Sequence, residues 1–271
     1  MTKSGYSSSG TIVHLISIGA SHYCEKARWA LERASLIYRE SKHVVLLHMF
    51  FTRGLGGTSC PKLVMGSGSD RVVLQESSDI LRFAEKNIKR EEDRLYPADP
   101  EMLKVVEAWE TKFGKKLGPH VRRWVYCHLM FDKCSYRMLT GGAPLWERTL
   151  AWFLMPILRR VVYAALYCNK PDAKENSLKI IQELYQEVEE ALSDGRPYIC
   201  GDRFTAADLT FAALSGPVIF PPNYGAWTPS VEEIPSEMAR AQAALRKSPA
   251  GQHVISMYEK QRTVVVSDIV G

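Results

Sequence analysis

The chain has 271 residues, 46% of them apolar and 24% charged, which is ordinary composition for a protein that buries a core and excludes wholesale disorder. That length holds one large domain or two ordinary ones and rules out a disulfide-stapled miniprotein. Lys and Arg number 35 against 30 Asp and Glu, a net charge of +5. No block of consecutive basic residues occurs, so no nucleic-acid partner is expected, and small anionic ligands stay open. The cysteines (Cys24, Cys60, Cys127, Cys134, Cys168 and Cys200) have neither paired zinc spacing nor the density of a secreted scaffold. A reducing, cytoplasmic setting without a bound metal is the expectation.

The first ten residues are polar and read as a flexible tail. TIVHLIS, 11–17, is an apolar, β-branched run of the kind that forms a buried strand. After Gly19 the spacing turns helical, with Tyr23, Ala27, Ala30, Leu31 and Ala34 on one face and Glu25, Lys26, Arg28, Glu32 and Arg33 on the other. A second strand is predicted from Ile37 to Leu47, followed by a loop, TRGLGGTSCP, whose glycines and proline disfavour regular structure. Lys62 to Met65 and Arg71 to Leu74 flank GSGSD as a hairpin, and a helix from Ser77 turns Ile80, Leu81, Ala84 and Ile88 inward. An α/β domain over 11–90 and a linker over 91–99 follow from this order.

Beyond Leu95 no strand pattern of any strength appears, which predicts an all-helical domain over 100–262 and a short tail over 263–271. Met102, Val105, Val106, Trp109 and Phe113 make one helical stripe; Leu178, Ile181, Leu184, Tyr185, Val188 and Leu192 make another. Two apolar stretches resemble membrane spans at first sight. Leu145 to Tyr167 is interrupted by Glu147, Arg148, Arg159 and Arg160, and Leu209 to Ser230 by four prolines. Both are expected to be buried or partly buried, and contact with a membrane is not expected. The segment from Gly141 to Lys174 is longer and more apolar than a connection between two helices needs, and the proline-rich PVIFPPNYGAWTPS interrupts the end of the helical half; both suit elaborated loops that line a binding site or make a subunit contact.

FTAADL, Phe204 to Leu209, has the pattern of a capped helix start: Thr205 as N-cap, Asp208 reaching back to its amide, and Phe204 against Leu209. The run RPYICGDRFTAADLTFAAL around it resembles the C-terminal signature of cytosolic glutathione transferases. Three further segments are similar to that family in matching order: SHYCEKARWAL from Ser21, CPKLV from Cys60, and QESSDIL from Gln75. The resemblance covers most of the chain. It implies a thioredoxin-like N-terminal domain, an all-α C-terminal domain, glutathione as co-substrate, and a homodimeric detoxifying enzyme that adds the glutathione thiolate to a hydrophobic electrophile.

The same resemblance assigns roles. The thiolate would be stabilised at a helix N-terminus by Ser21, with Tyr23 and Cys24 as rival candidates. Glu76 and Ser77 would hold the γ-glutamyl end. A cis peptide before Pro61 would align the Cys60 backbone with the cysteinyl part; the family usually has a small aliphatic residue where this chain has Cys60. A cation for the glycine carboxylate would come from His48 or Arg53, and the electrophile would lie against Trp109, Phe113 and Tyr126. Serine at position 21 cannot exchange disulfides, which favours conjugation. A thiol transferase working through Cys24 and a non-catalytic scaffold are the alternatives.

Overall fold

The computed structural model describes residues 13–262; the expected tails, and the first two residues of the predicted first strand, lie outside the described residues. Strand β1 (Val13–Ser17) pairs in parallel with β2 (Tyr38–Lys42) and antiparallel with β3 (Lys62–Met65), which pairs antiparallel with β4 (Val72–Leu74). The sheet order is β2-β1-β3-β4. A parallel pair needs a crossover, supplied here by α1 (His22–Arg33). Leu15, Leu31, Leu63 and Ile80 are fully buried between this sheet and the helices α1 and α3 (Ser77–Asn87).

The second predicted strand is shorter than expected. Its apolar continuation turns instead into α2 (His48–Thr52), a five-residue helix without a side-chain cap. Nothing in VVLLHMFFT distinguishes a strand from one helical turn, because short apolar runs carry no decisive period.

The helical half begins with α4 (Pro100–Lys112), capped by Asp99, and continues through a π-helical stretch, Phe113–Leu117, into α5 (Gly118–Leu129). After α6 (Ser135–Thr140) and α7 (Leu145–Ala165) come α8 (Ala173–Leu192), α9 (Ala206–Ile219), α10 (Ser236–Lys247) and α11 (Pro249–Lys260). Helix α9 is buried on nearly every side, as its uniformly apolar composition demands. Its start has the predicted capping box, and the buried Asp208 carboxylate accepts from the Thr205 amide at 3.0 Å, the Ile199 amide at 2.9 Å and His253 Nε2 at 3.1 Å.

Two expectations need correction. Met102 and Val105 are exposed while Val106 and Phe113 are buried, so the α4 stripe is rotated toward Val106. The charged face of α1 is not a solvent face: Glu25, Lys26, Arg28 and Glu32 are all buried. Helix α1 lies against α3 on one side and α9 on the other, so the helical domain covers the surface that periodicity assigns to water. Its charges are satisfied internally. Lys26 Nζ donates to Glu110 Oε1 at 2.7 Å, Arg28 Nε to Glu40 Oε1 at 2.8 Å, and Arg262 Nε to Glu25 Oε1 at 2.9 Å.

The two domains also meet through neutral contacts at the start of α1. His22 Nε2 lies 3.1 Å from the Gly118 carbonyl, which can only accept, so that nitrogen holds the proton. The Tyr23 hydroxyl donates to the Gly114 carbonyl at 2.8 Å. A Cβ at position 118 would overlap the Tyr23 ring, so glycine is what lets α1 and α5 cross here.

Removing one member of a buried pair leaves the other charge stranded. Lys26→Met is expected to lower unfolding free energy by about 3–5 kcal/mol in urea titrations. Lys26→Met with Glu110→Gln, which keeps the hydrogen bond from the Tyr96 hydroxyl at 2.6 Å, should recover most of that loss.

Burial and the nearby Arg122 guanidinium push His22 down to about 3. The unfolded chain takes up this proton near pH 6.5 and the folded chain does not, so acidification from 6.5 toward 3 favours unfolding. Stability against pH should therefore fall by up to about 1.4 kcal/mol per unit more steeply in the wild type than in His22→Gln, which can still donate to Gly118. Parallel curves for the two proteins would remove His22 from this role.

Candidate functional site

The sheet register brings the predicted segments together. Ile16 pairs with Lys62 and Leu63 with Leu74. Carried two residues further, the same register sets the Ile18–Ser21 turn, the Cys60–Pro61 peptide and the Glu76–Ser77 helix start at one edge of the sheet. The Cys60–Pro61 bond is cis, as expected.

A cavity of about 210 Å³ opens at this edge, between the two domains. The α/β domain contributes Ser21, His22, His48, Ser59 and Cys60, and α5 contributes Arg122, Val125 and Tyr126. Val162 of α7, Phe220 and Trp227 complete an apolar wall. No Asp or Glu lines the cavity among the described residues.

Ser21 is the N-cap of α1. Its Oγ accepts from the Cys24 amide at 3.4 Å, and the residue lines the cavity. The first amides of α1 and its dipole add positive potential at the same point. Two buried groups hold the turn that leads into Ser21. Arg28 Nη2 donates to the Gly19 carbonyl at 3.3 Å, and the Cys24 sulfur accepts from the Ile18 amide at 3.5 Å.

Cys24 is fully buried and does not line the cavity; burial raises its thiol above the ordinary range. Tyr23 also lies outside the lining. Burial pushes its phenol up to about 12, and its proton is engaged by Gly114. Of the three rivals, only Ser21 lines the cavity. Cys60 lines the cavity with its thiol raised by burial.

At the third segment, Ser77 is buried at the first position of α3 and Glu76 is exposed just before it. The predicted cations are placed less well. His48 lines the cavity, but burial lowers its pKa and so disfavours the cationic form, and its Nδ1 has no hydrogen-bond partner. Arg53 sits on an exposed turn away from the lining.

Two cations that sequence reasoning missed are nearer. Arg122 lines the cavity. Lys62 is 1% exposed, and its Nζ donates to Ser59 Oγ at 3.2 Å and Gln75 Oε1 at 3.4 Å, bridging the segments before Pro61 and Glu76. Lysine directly after the proline, in a strand that must be buried, was the available signal.

Among the predicted acceptor aromatics only Tyr126 lines the cavity. Phe113 is buried against Phe211 with ring centroids 5.1 Å apart, and Trp109 stacks on Phe113 at 5.2 Å. The π-helical stretch after Lys112 shifts the helical phase, so residues before and after it do not share a face. Tyr224 and Trp227 supply the aromatic wall instead; the buried Tyr224 hydroxyl has no hydrogen-bond partner.

A family model described as the glutathione S-transferase C-terminal domain matches residues 171–215, which span α8 and most of α9. No curated protein matches the chain in sequence. Among solved structures, a glutathione S-transferase from Pseudomonas fluorescens is similar at TM-score 0.56 and 17% identity, over 93% of this chain and 98% of its own. A glutathione transferase from Burkholderia graminis, with two glutathione molecules bound per subunit, gives 0.56 and 16% over 92% and 84%. A theta class glutathione S-transferase from Xanthomonas axonopodis, with glutathione bound, gives 0.54 and 18% over 90% and 97%. In its thioredoxin-like domain, its helical domain and their order, the chain has the glutathione transferase fold.

Proposed function

We propose that the protein is a glutathione transferase, taking glutathione as co-substrate and adding its sulfur to an apolar electrophile. The observation that supports the reading is the cavity lined by Ser21 and Cys60, beside a cis Cys60–Pro61 peptide, at the sheet edge to which the register also brings the Glu76–Ser77 helix start, although Pro61, Glu76 and Ser77 do not themselves line it. Relatives of the same fold hold glutathione.

A thiol that ionises above neutral pH needs several kcal/mol of help to stay a thiolate. The Ser21 O–H gives one charge-assisted hydrogen bond, and the helix terminus gives potential without reorganisation. The sulfur lone pair then forms the carbon–sulfur bond. In a substitution the leaving group departs with its bonding electrons; in a conjugate addition a proton from solvent completes the product. Glu76 and Ser77 orient the γ-glutamyl amine and carboxylate, and the Cys60 backbone aligns the cysteinyl unit. Buried Cys24 acts as a brace for the Ile18 turn, which argues against a thiol transferase working through it.

Ser21→Ala is expected to lower kcat/KM about 10- to 100-fold with a generic chloronitroaryl electrophile, the worth of one hydrogen bond to a charged group. The pKa of bound glutathione, read by thiolate absorbance, should rise in parallel. Unchanged conjugation would remove Ser21 from the mechanism, and retention on immobilised glutathione with no turnover would mark a carrier instead.

Arg122 is the one Lys or Arg in the cavity lining among the described residues, and no carboxylate lines the cavity to pair with it, so the acceptor side favours apolar electrophiles that also carry an acid group. Arg122→Leu should raise KM roughly tenfold for a carboxylated chloronitroaryl and change the uncharged analogue by about twofold or less. Equal effects on both electrophiles would assign Arg122 to glutathione.

A further inference from the structure

Helix α7 buries one stripe and exposes the opposite one. Glu147, Ala151, Met155, Leu158 and Val162 turn inward, four of these spacings being a turn apart. Ala151 and Leu158 pack with Val44 and Leu47 just before α2. The outer stripe is apolar as well: Leu145, Trp146, Phe153 and Ile157 are 58–76% exposed, with Trp152 at 64% on its flank. Phe50 of α2, 82% exposed, lies on the neighbouring element. Of the 16 large apolar side chains exposed among the described residues, seven belong to this one helix, which is a concentration and not scatter.

The charges on α7 are sorted. Its one acid, Glu147, is buried, taking His43 Nδ1 at 2.7 Å and the Val44 amide at 2.8 Å. Every charge the helix exposes is an arginine: Arg148 and Arg160 are open, and Arg159 is half-buried with Nη2 on Ser135 Oγ at 2.6 Å. Among the described residues no helix is long and apolar enough to cross a membrane.

We propose that the outer face of α7, with Phe50, docks on the surface of an anionic lipid bilayer. Exposed Trp and Phe beside unopposed arginines, on a helix that cannot span, are what an interfacial helix requires. A second copy of the chain fits less well. A two-fold contact sets the same patch against itself, and this helix offers no acid to meet its arginines. Val162 of the same helix lines the cavity, so docking sets the acceptor wall about one helix diameter, roughly 10 Å, from the acyl boundary. The chain's apolar acceptor would then be drawn from lipid. This departs from the expectation that the interrupted apolar run avoids membranes: its charges break a span, yet they suit an interface.

The test is co-sedimentation of the full chain with vesicles of phosphatidylcholine containing about 30% phosphatidylserine, and with pure phosphatidylcholine vesicles. The expected result is capture by the anionic vesicles, at least about tenfold weaker on neutral ones or at high salt. Trp146→Glu with Phe153→Glu and Ile157→Glu should abolish capture while leaving glutathione conjugation and circular dichroism intact. Arg148→Glu with Arg160→Glu should reduce it roughly tenfold or more. No capture of the wild type overturns the proposal. If that chain also sediments as a dimer which the triple variant dissociates, the occupant is a second copy. Capture that is indifferent to lipid charge or to the triple variant overturns it equally. Because the readout is lipid binding, it stands or falls apart from catalysis.

Discussion

Everything at the site depends on how α1 is held. An ordinary helix of this domain class would keep a polar stripe in water, yet α1 has the sheet and α3 on one side and α9 on the other, so Glu25, Lys26, Arg28 and Glu32 are all internal. Taking such ions out of water is costly, and their mutual attraction offsets the cost only when geometry is good. What the arrangement supplies is a fixed rotation of the helix. Lys26 is tied to α4, Arg28 to β2, and Glu25 and Glu32 to Arg262 after α11. Four attachments to three parts of the chain hold α1 in one angular setting, and its N-terminus in one direction.

That direction is what the proposed chemistry would use. Arg28 reaches Glu40 with Nε and the Gly19 carbonyl with Nη2, so the ion pair that fixes the helix also fixes the turn before Ser21. The Cys24 sulfur fastens the other side of the turn at the Ile18 amide. Ser21 thus lines the cavity with its oxygen accepting from the Cys24 amide, and in the proposed reaction its proton goes to the sulfur. A hydroxyl preset as a donor loses little entropy on meeting an anion, which is the advantage of preorganisation. The opposite wall is set by neutral bonds from His22 and Tyr23 to carbonyls of the helical domain, so one helix end joins both domains and opens the cavity between them.

The legible parts of this design were those written locally. The hairpin, the capping box at Thr205 and Asp208, the proline before β3 and the Glu-Ser start of α3 each depend on a few adjacent residues, and each was found where its residues indicated. The misses share a different cause. The second face of α1 is covered by α9, nearly 200 residues away in sequence, and periodicity cannot register a distant cover. The phase slip at Phe113–Leu117 is a tertiary accommodation that leaves Phe113 in the core, the half-buried Trp109 stacked on it, and Tyr126 at the cavity. Arg122 had no motif to mark it; its importance comes from α5 crossing the start of α1 at Gly118, a contact made possible by a missing side chain.

Helix α7, between α5 and α8, ties these levels together. A helix with apolar stripes on two opposite faces has two demands for burial, and the protein meets one of them by laying Ala151 and Leu158 on the segment before α2. This packing also buries Glu147, whose carboxylate takes the Val44 amide and His43 and so pins the loop that leads to His48 at the cavity. The inner face of α7 is therefore part of the architecture of the site. Its outer face contributes nothing to that architecture, and leaving Trp146, Phe153 and Ile157 in water gives up hydrophobic free energy of about 1.5–3 kcal/mol for each large side chain. A surface helix relieved of that requirement would exchange them for polar residues at no cost to the fold. Their concentration on one face, together with the sorting of every exposed charge to one sign, is a constraint imposed from outside the chain.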